Sequence, residues 1–267
     1  MPTILRENNQ PHRLRQVAES FGTDAERYDR TRPRYPDALV ERIVAAAPGP
    51  DLLDVGCGTG IAARQFRAAG CTVLGVEPDE RMAGLARRTG VACEVSTFEA
   101  WDAAGRTFDT VIAAQAWHWV DPVTGAAKAA EVLRPGGRLA LFWNAFQPPP
   151  GLNEAFAAAY RQVLPEMPGY DHTKPVTEAY TAMCAMAADG MREAGAFGDP
   201  EQWHIGWEHT YTRDAWLDQV PTHGGGTRLP PAKRDELLSA IGAAIDAMGG
   251  AFTMSYTAVA VTATRTA

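Results

Sequence analysis

A length of 267 residues suffices for one sizeable hydrophobic core, or one core with a cap, and α/β folds of this size are commonly single domains. Acidic residues outnumber basic ones, 32 to 25, for a formal net charge of -7. That balance speaks against a general nucleic-acid binder, which needs a basic face to neutralise phosphates; the lysines are only Lys128, Lys174 and Lys233, and the arginines are dispersed.

In chain order, residues up to about Ser20 read as a mobile or loosely helical arm. From Pro36 to Ala47, apolar Leu39, Ile43 and Val44 fall on one helix face, with Pro36 suited to a first turn. Leu52–Val55, Thr72–Val76, Ala92–Val95, Thr110–Ala114 and Arg138–Trp143 read as buried strands, with helical patterns near 60–69, 79–89 and 123–132 between them. Alternation of this kind predicts a parallel sheet with helices on both faces. The run Gln147-Pro148-Pro149-Pro150-Gly151 punctuates the chain. After it the spacing predicts helices near 152–163 and 175–195, a strand near 201–211, a helix near 231–247 and a last strand, Phe252 to Thr262. On that strand Phe252, Met254, Tyr256, Ala258 and Ala260 share one face.

The most telling stretch is Leu52-Leu53-Asp54-Val55-Gly56-Cys57-Gly58-Thr59-Gly60, an apolar run ending in an acid, then glycines alternating with small residues. It predicts a buried strand turning sharply into a helix, with glycines where a ligand approaches the backbone. Glu77 ends the next apolar run, and a carboxylate about 20 residues past such a turn is placed to accept hydrogen bonds from ribose hydroxyls. The spacing is not the dinucleotide G-x-G-x-x-G, because Ile61 stands at the third glycine and Asp54 would repel a pyrophosphate. A nucleoside that brings cations and no phosphate, S-adenosylmethionine, fits this charge pattern better.

Asp54 to Gly60 resemble the first motif of the class I S-adenosylmethionine-dependent methyltransferases, and Val76-Glu77-Pro78-Asp79 the second. The segment from Phe108 to Asp121, with Gln115-Ala116-Trp117-His118-Trp119 at its centre, resembles the strand-four motif; Leu133-Arg134-Pro135-Gly136-Gly137-Arg138-Leu139 resembles the turn into strand five. Four motifs in order cover roughly residues 36 to 145. The resemblance is closest to the small-molecule branch, the trans-aconitate-methyltransferase-like and quinone-methylase-like groups. It implies a Rossmann-like α/β fold: a seven-stranded, mostly parallel sheet with an antiparallel last strand, an N-terminal arm and a helical substrate cap. The expected division is an arm over 1–35, a cofactor-binding core over 36–146, and cap helices with the last two strands over 147–267.

Site residues follow from the same resemblance. Gly56, Cys57, Gly58, Thr59 and Gly60 pass beneath the methionine part beside Asp54, and Glu77 takes the ribose. Pro78 and Met82 are candidates for the adenine faces, Thr97, Phe98 and Glu99 for its edge, and Gln115 and Trp119 for further cofactor contacts. Glu99 has a second reading, a helix-start carboxylate. In the arm, Phe21, Tyr28, Arg32 and Tyr35 resemble the motif that closes over the cofactor. Arg32 there would meet the methionine carboxylate as a charge-assisted pair, whereas Arg34 reads as a solvated surface arginine. Phe21, Trp117, His118 and Trp143 are candidates for the acceptor side.

Methyl transfer from a sulfonium is an in-line displacement, so alignment of the acceptor matters most. Two roles are open for His118: a general base, which helps a hydroxyl acceptor by about 10²–10⁴-fold, or a hydrogen bond to the cofactor or a loop. Beyond Pro150 stand Met183, Met186, Met191, Trp203, Trp207, Tyr211 and Trp216, with His204, His209 and His223 among them; they suit an apolar or aromatic acceptor, and equally an ordinary core. His204 and His209 fall on opposite faces of a strand, which argues against a shared metal site. Gly224-Gly225-Gly226 reads as a flexible linker or lid element.

Cys57, Cys71, Cys93 and Cys184 show no C-x-x-C spacing, so no zinc site or disulfide framework is expected, and Cys71 and Cys93 read as small core residues. Met1 to Gln10 is polar, and no run reaches the roughly 20 apolar residues of a membrane span, so the expected location is the cytoplasm, away from membranes. The expected activity is methyl transfer from S-adenosylmethionine to a small-molecule acceptor at oxygen, leaving S-adenosylhomocysteine, by a monomer or homodimer. Arg-, Ala- and Gly-rich usage hints at a bacterial source and natural-product tailoring. Carbon or nitrogen methylation, or cofactor binding without transfer, are the alternatives.

Overall fold

The computed structural model describes residues 20–164, 176–223 and 229–266. The predicted arm before Ser20 and the Gly224-Gly225-Gly226 loop lie outside the described residues. After a short 3₁₀ turn, Ser20–Asp24, come α1 (Ala25–Thr31) and α2 (Asp37–Ala45), the latter with Pro36 at its N-cap. Then follow β1 (Asp51–Val55), α3 (Ile61–Ala68), β2 (Thr72–Glu77), α4 (Glu80–Arg88), β3 (Ala92–Val95), β4 (Phe108–Ala114), α5 (Pro122–Val132) and β5 (Leu133–Gln147). The remainder is α6 (Pro150–Val163), α7 (Val176–Ala194), β6 (Glu201–Thr212), α8 (Arg213–Gln219), α9 (Pro231–Asp246) and β7 (Ala251–Thr264).

Seven strands form one sheet in the order β3-β2-β1-β4-β5-β7-β6, with β1 to β5 parallel. Parallel strands covered on both faces read as continuous apolar runs, and β4 is buried at every residue but the last. β7 runs against both its neighbours: Gly137 pairs with Arg265 and Leu139 with Thr262, while Thr210 meets Thr253 and Glu208 meets Ser255. The helix starts are capped by acids where the sequence supplies them. Asp79 accepts from the Arg81 and Met82 amides at 2.8 and 3.4 Å, and Asp121 from those of Val123 and Thr124 at 3.1 and 2.9 Å.

The chain folds as two compact units, each assembled from distant segments. One gathers the described residues of 33–144, 180–205 and 258–266. At the amino ends of its strands, Asp109 is held by Arg134 at 2.6 Å and by the Asp51 amide at 3.0 Å. The other unit gathers the described residues of 20–32, 145–179 and 206–257. Its core joins Phe156, Tyr211, Trp216, Phe252, Met254 and Tyr256 with the buried faces of α6 and α9. Phe252, Met254 and Tyr256 point inward as the alternation predicts, between exposed Thr253 and Ser255.

Three local expectations are corrected. The fifth strand begins at Leu133 rather than Arg138, because Leu133 already pairs with Phe108 before a register shift. Arg213–Gln219 is a helix that the sequence reading passed over; Thr212 caps it by accepting from the Ala215 amide at 3.2 Å. Cys71 is only half-buried, whereas Cys93 is a core residue, as are Cys57 and Cys184.

Candidate functional site

β1 delivers Asp54 and then the glycine turn. Gly56 has φ +65°, and a Cβ built on it would stand 2.6 Å from the Ala116 Cβ, so the turn after β1 touches the turn after β4 through a bare backbone. Gly60 has φ +86° and forms the N-cap of α3. The Gly56 and Cys57 amides both donate to the Val76 carbonyl, at 2.8 and 3.2 Å, which ties the turn to the end of β2.

Glu77, at that end, is buried and already engaged. Its Oε2 accepts from the Gly58 amide at 2.9 Å and its Oε1 from the Asp79 amide at 3.0 Å. This bracing of the glycine turn was missed in the sequence; the signal available was the acid at the strand end. Burial pushes its pKa up to about 7, against the opposing pull of the two amides. Asp54 is fully buried, and neither oxygen has a hydrogen-bond partner of good geometry, the Ala63 amide giving only a weak pull. Burial, and then the charge of Glu77, push it up to about 8. Two carboxyls therefore sit at the carboxyl end of the central strands with little to neutralise them. Thr59, also buried, has an unpartnered Oγ1.

Around this turn, Met82 is buried with its Cε 3.5 Å from where a Cβ on Gly58 would stand, while Pro78 is exposed. After β3, Thr97 and Glu99 are half-buried and Phe98 is buried between the rings of Trp101 and Trp117, at 6.5 and 6.2 Å. No helix starts there, so the helix-start reading of Glu99 is corrected: residues 98–100 form a turn. Cys57 Sγ lies 3.4 Å from Cys93 Sγ, a meeting of two thiols that residue spacing could not show.

β4 is followed by Gln115, whose φ of +56° is a left-handed conformation that a non-glycine residue adopts at a cost of order 1–3 kcal/mol. Its amide donates to the Phe142 carbonyl at 2.9 Å. A one-turn 3₁₀ helix, Trp117–Trp119, follows. Trp117 is buried against Gly125 and Phe98, with its indole N–H unpartnered; Trp119 is half-buried, its ring 4.7 Å from that of His118. Trp143, buried on β5, directs its Nε1 at His118 Nδ1 over 3.3 Å. An indole N–H can only donate, so Nδ1 accepts and the imidazole proton sits on Nε2. Burial lowers the His118 pKa to about 4, so the ring is neutral at physiological pH.

The other predicted residues divide by unit. Tyr35, in the same unit as the glycine turn, is buried edge-on against Phe142 at 4.7 Å and exchanges two hydrogen bonds with Gln65. Arg34 is exposed, as the sequence suggested. Phe21, Tyr28 and Arg32 belong to the second unit, where Phe21 packs on Tyr28 at 6.0 Å and the Arg32 guanidinium covers the Tyr28 ring at 4.8 Å. Of the later candidates, Met191, Trp203, Tyr211, Trp216 and His223 are buried, and Met186, His204 and His209 are exposed. Among the described residues no group of His, Cys, Asp or Glu is arranged to hold a metal ion. Nor is any described helix long and apolar enough to cross a membrane.

Comparison with known proteins agrees with this geometry. A methyltransferase-domain family matches over residues 28–149. An uncharacterised methyltransferase of Mycobacterium bovis is 37% identical over 132 residues, 49% of this chain and 54% of that protein. A malonyl-[acyl-carrier protein] O-methyltransferase of Enterobacter lignolyticus is 34% identical over 148 residues, 53% of this chain and 59% of that one. The chain thus spans about half the length of the curated relatives it matches. A solved structure of a candidate type II methyltransferase from Anaeromyxobacter dehalogenans shares the fold, with TM-score 0.61 and 24% identity over 86% of this chain and 97% of that one. With glycine turn, strand-end acid and sheet order in agreement, residues 28–149 match the methyltransferase-domain family and resemble its class I S-adenosylmethionine-dependent kind.

Proposed function

We propose that this protein transfers a methyl group from S-adenosylmethionine to an oxygen of a small-molecule acceptor, a carboxyl group in preference to a hydroxyl. The observation that carries the reading is the Asp54 carboxylate, buried at the glycine turn without a good partner. A buried carboxyl with a raised pKa gains most from a cation, and the α-ammonium of the cofactor is one. A pyrophosphate at the same place would meet only repulsion. Glu77 uses one acceptor position on each oxygen for the backbone, and each oxygen has a second that ribose hydroxyls can take.

When bound, the sulfonium supplies an electrophilic methyl group; the protein's task is alignment and exclusion of water. His118 presents an Nε2–H, and its other nitrogen already accepts from Trp143, so it is equipped to hold an acceptor oxygen rather than to remove a proton. A carboxylate is ionised beforehand and needs no base, which is why we favour it. The relative named as a malonyl-[acyl-carrier protein] O-methyltransferase supports oxygen as the nucleophile. The arginine-, alanine- and glycine-rich composition adds bacterial natural-product tailoring as the setting of this proposal.

The test is calorimetry followed by turnover. S-adenosylmethionine and S-adenosylhomocysteine should bind and NADH should not, and a panel of small carboxylic acids should release S-adenosylhomocysteine. Tight NADH binding with indifference to the sulfonium compound overturns the proposal. Cofactor binding with no turnover on acids, phenols, amines or carbon nucleophiles favours a binder that transfers nothing.

A further inference from the structure

The unit built from the described residues of 20–32, 145–179 and 206–257 holds a polar cluster that its own contacts do not satisfy. Arg32 follows α1, and one arm of its guanidinium donates to the Thr222 carbonyl. Its Nε is buried with no partner, and among the described residues no carboxylate pairs with it. Asp218 is committed elsewhere, to Arg27 at 3.2 Å and Arg30 at 2.8 Å. Beside Thr222 stands His223, whose Nε2 takes a hydrogen bond from Gln219 Nε2 at 3.1 Å, leaving the proton on Nδ1, which has no partner. The Trp216 ring lies 5.5 Å from that of His223, and its indole N–H is unpartnered as well. Trp216, Gln219 and His223 are 2%, 2% and 5% exposed.

Three buried donors, one each on Arg32, Trp216 and His223, thus have no hydrogen-bond partner, and among the described residues the arginine has no counter-charge. Among the described groups around them none supplies a negative charge, and the buried acceptor there without a partner, Gln219 Oε1, is neutral. Burial pushes His223 well below its ordinary pKa and pushes the phenols of Tyr160 and Tyr211 above theirs, so all three are neutral at physiological pH. A folded chain seldom leaves such donors orphaned unless something else completes them. One guanidinium balances one negative charge, which matches a carboxylate rather than a phosphate dianion; a carboxylate also offers four lone-pair positions to the three donors. The surroundings are aromatic: Trp216 stacks on Phe156 at 5.9 Å and meets Tyr211 at 5.0 Å and Phe252 at 5.4 Å.

We propose that Arg32, Trp216 and His223 form a binding site for the carboxylate of an aromatic or apolar acid. This site stands apart from the methyltransferase reading above. The same chemistry could come from the methionine end of the cofactor, which the sequence assigned to Arg32, so the experiment separates the two sources.

Calorimetry on the full chain compares phenylacetate with its neutral analogue phenylacetamide, and titrates S-adenosylhomocysteine separately. Phenylacetate should bind at least tenfold more tightly than the amide. Arg32→Gln should remove that preference while leaving S-adenosylhomocysteine affinity within about threefold, a shift well below the tenfold steps that separate the outcomes. Trp216→Phe, which keeps an aromatic ring and loses the N–H, should weaken phenylacetate severalfold and spare the amide. Equal binding of acid and amide, or no binding of either, overturns the proposal using the unaltered protein alone, whatever the variants do. A tenfold or larger loss of S-adenosylhomocysteine affinity in Arg32→Gln gives the guanidinium to the cofactor and also overturns it. Failure of the unaltered protein to bind S-adenosylhomocysteine sinks the methyltransferase reading instead, and leaves the comparison of acid with amide standing.

Discussion

Trp143 Nε1 stands 3.3 Å from His118 Nδ1, across two neighbouring strand ends, and so decides which imidazole nitrogen carries the proton. The available group at His118 is a donor. His118→Gln keeps a donor and should retain turnover within about tenfold, whereas His118→Ala should lose about 10²-fold, the scale for removing one positioned donor. S-adenosylhomocysteine affinity should barely move in either variant. Steady-state kinetics decides the point, for a true base would make glutamine as inactive as alanine. Trp143→Phe frees Nδ1, so the His118 titration point followed by NMR should rise from about 4.

Asp54→Asn keeps the shape of the side chain and removes its charge. A hydrogen bond to a charged group contributes about 1.5–3 kcal/mol, so the dissociation constant for S-adenosylhomocysteine should rise about 10- to 100-fold. Ligand-free stability should hold or increase, because a carboxyl of raised pKa no longer has to be buried. Calorimetry with denaturant titration checks both signs, and unchanged affinity would remove Asp54 from the site.

The two raised carboxyls set a pH dependence. A carboxyl whose pKa rises on folding keeps its proton in the native chain at pH values where the unfolded chain has lost it. With Asp54 near 8 and Glu77 near 7, against ordinary values of about 4, the native state holds more protons between about pH 4 and pH 8. Their contribution to ligand-free stability is therefore full below about pH 4 and is lost as pH rises through that window. A cation bound at Asp54 reverses the preference. The rise in melting temperature caused by S-adenosylhomocysteine should thus be larger at about pH 7.5 than at about pH 5.5, both below the α-amino pKa of about 8. Thermal denaturation at the two values reads it, and a pH-independent shift would contradict it.

Gly56→Ala carries two penalties and Gly105→Ala only one. Both glycines have positive φ, +65° and +77°, but only at Gly56 would the new methyl group collide, 2.6 Å from the Ala116 Cβ. The left-handed conformation alone costs about 1–2 kcal/mol. Chemical denaturation should therefore show Gly105→Ala near that figure and Gly56→Ala clearly above it, with cofactor affinity reduced only in the latter. Equal losses would mean that Ala116 moves aside.

The strands were legible because each buried parallel strand is a short apolar run, as in Leu52-Leu53 and Val111-Ile112, and Asp54 and Glu77 stood where such runs stop. Arg213–Gln219 was passed over because seven residues following a strand leave no room for helical periodicity. The return of the chain to the first unit at Tyr180 and Ala258 depends on tertiary packing that no local pattern encodes. The site was legible as residue types and not as pairings. His118 and Trp143 are 25 residues apart, Cys57 and Cys93 are 36 apart, and only the sheet order brings either pair together. The orphaned donors of Arg32, Trp216 and His223 were equally hidden, since an unmet hydrogen bond is a property of the packed interior.

The bare contact between Gly56 and Ala116 joins the loop that would cradle the nucleoside to the loop that carries His118. With that gap already filled by one methyl, neither loop can shift toward the other, and any side chain larger than alanine at position 116 would wedge them apart. The spacing between the glycine turn and the loop of the imidazole is thereby gauged by a single carbon atom.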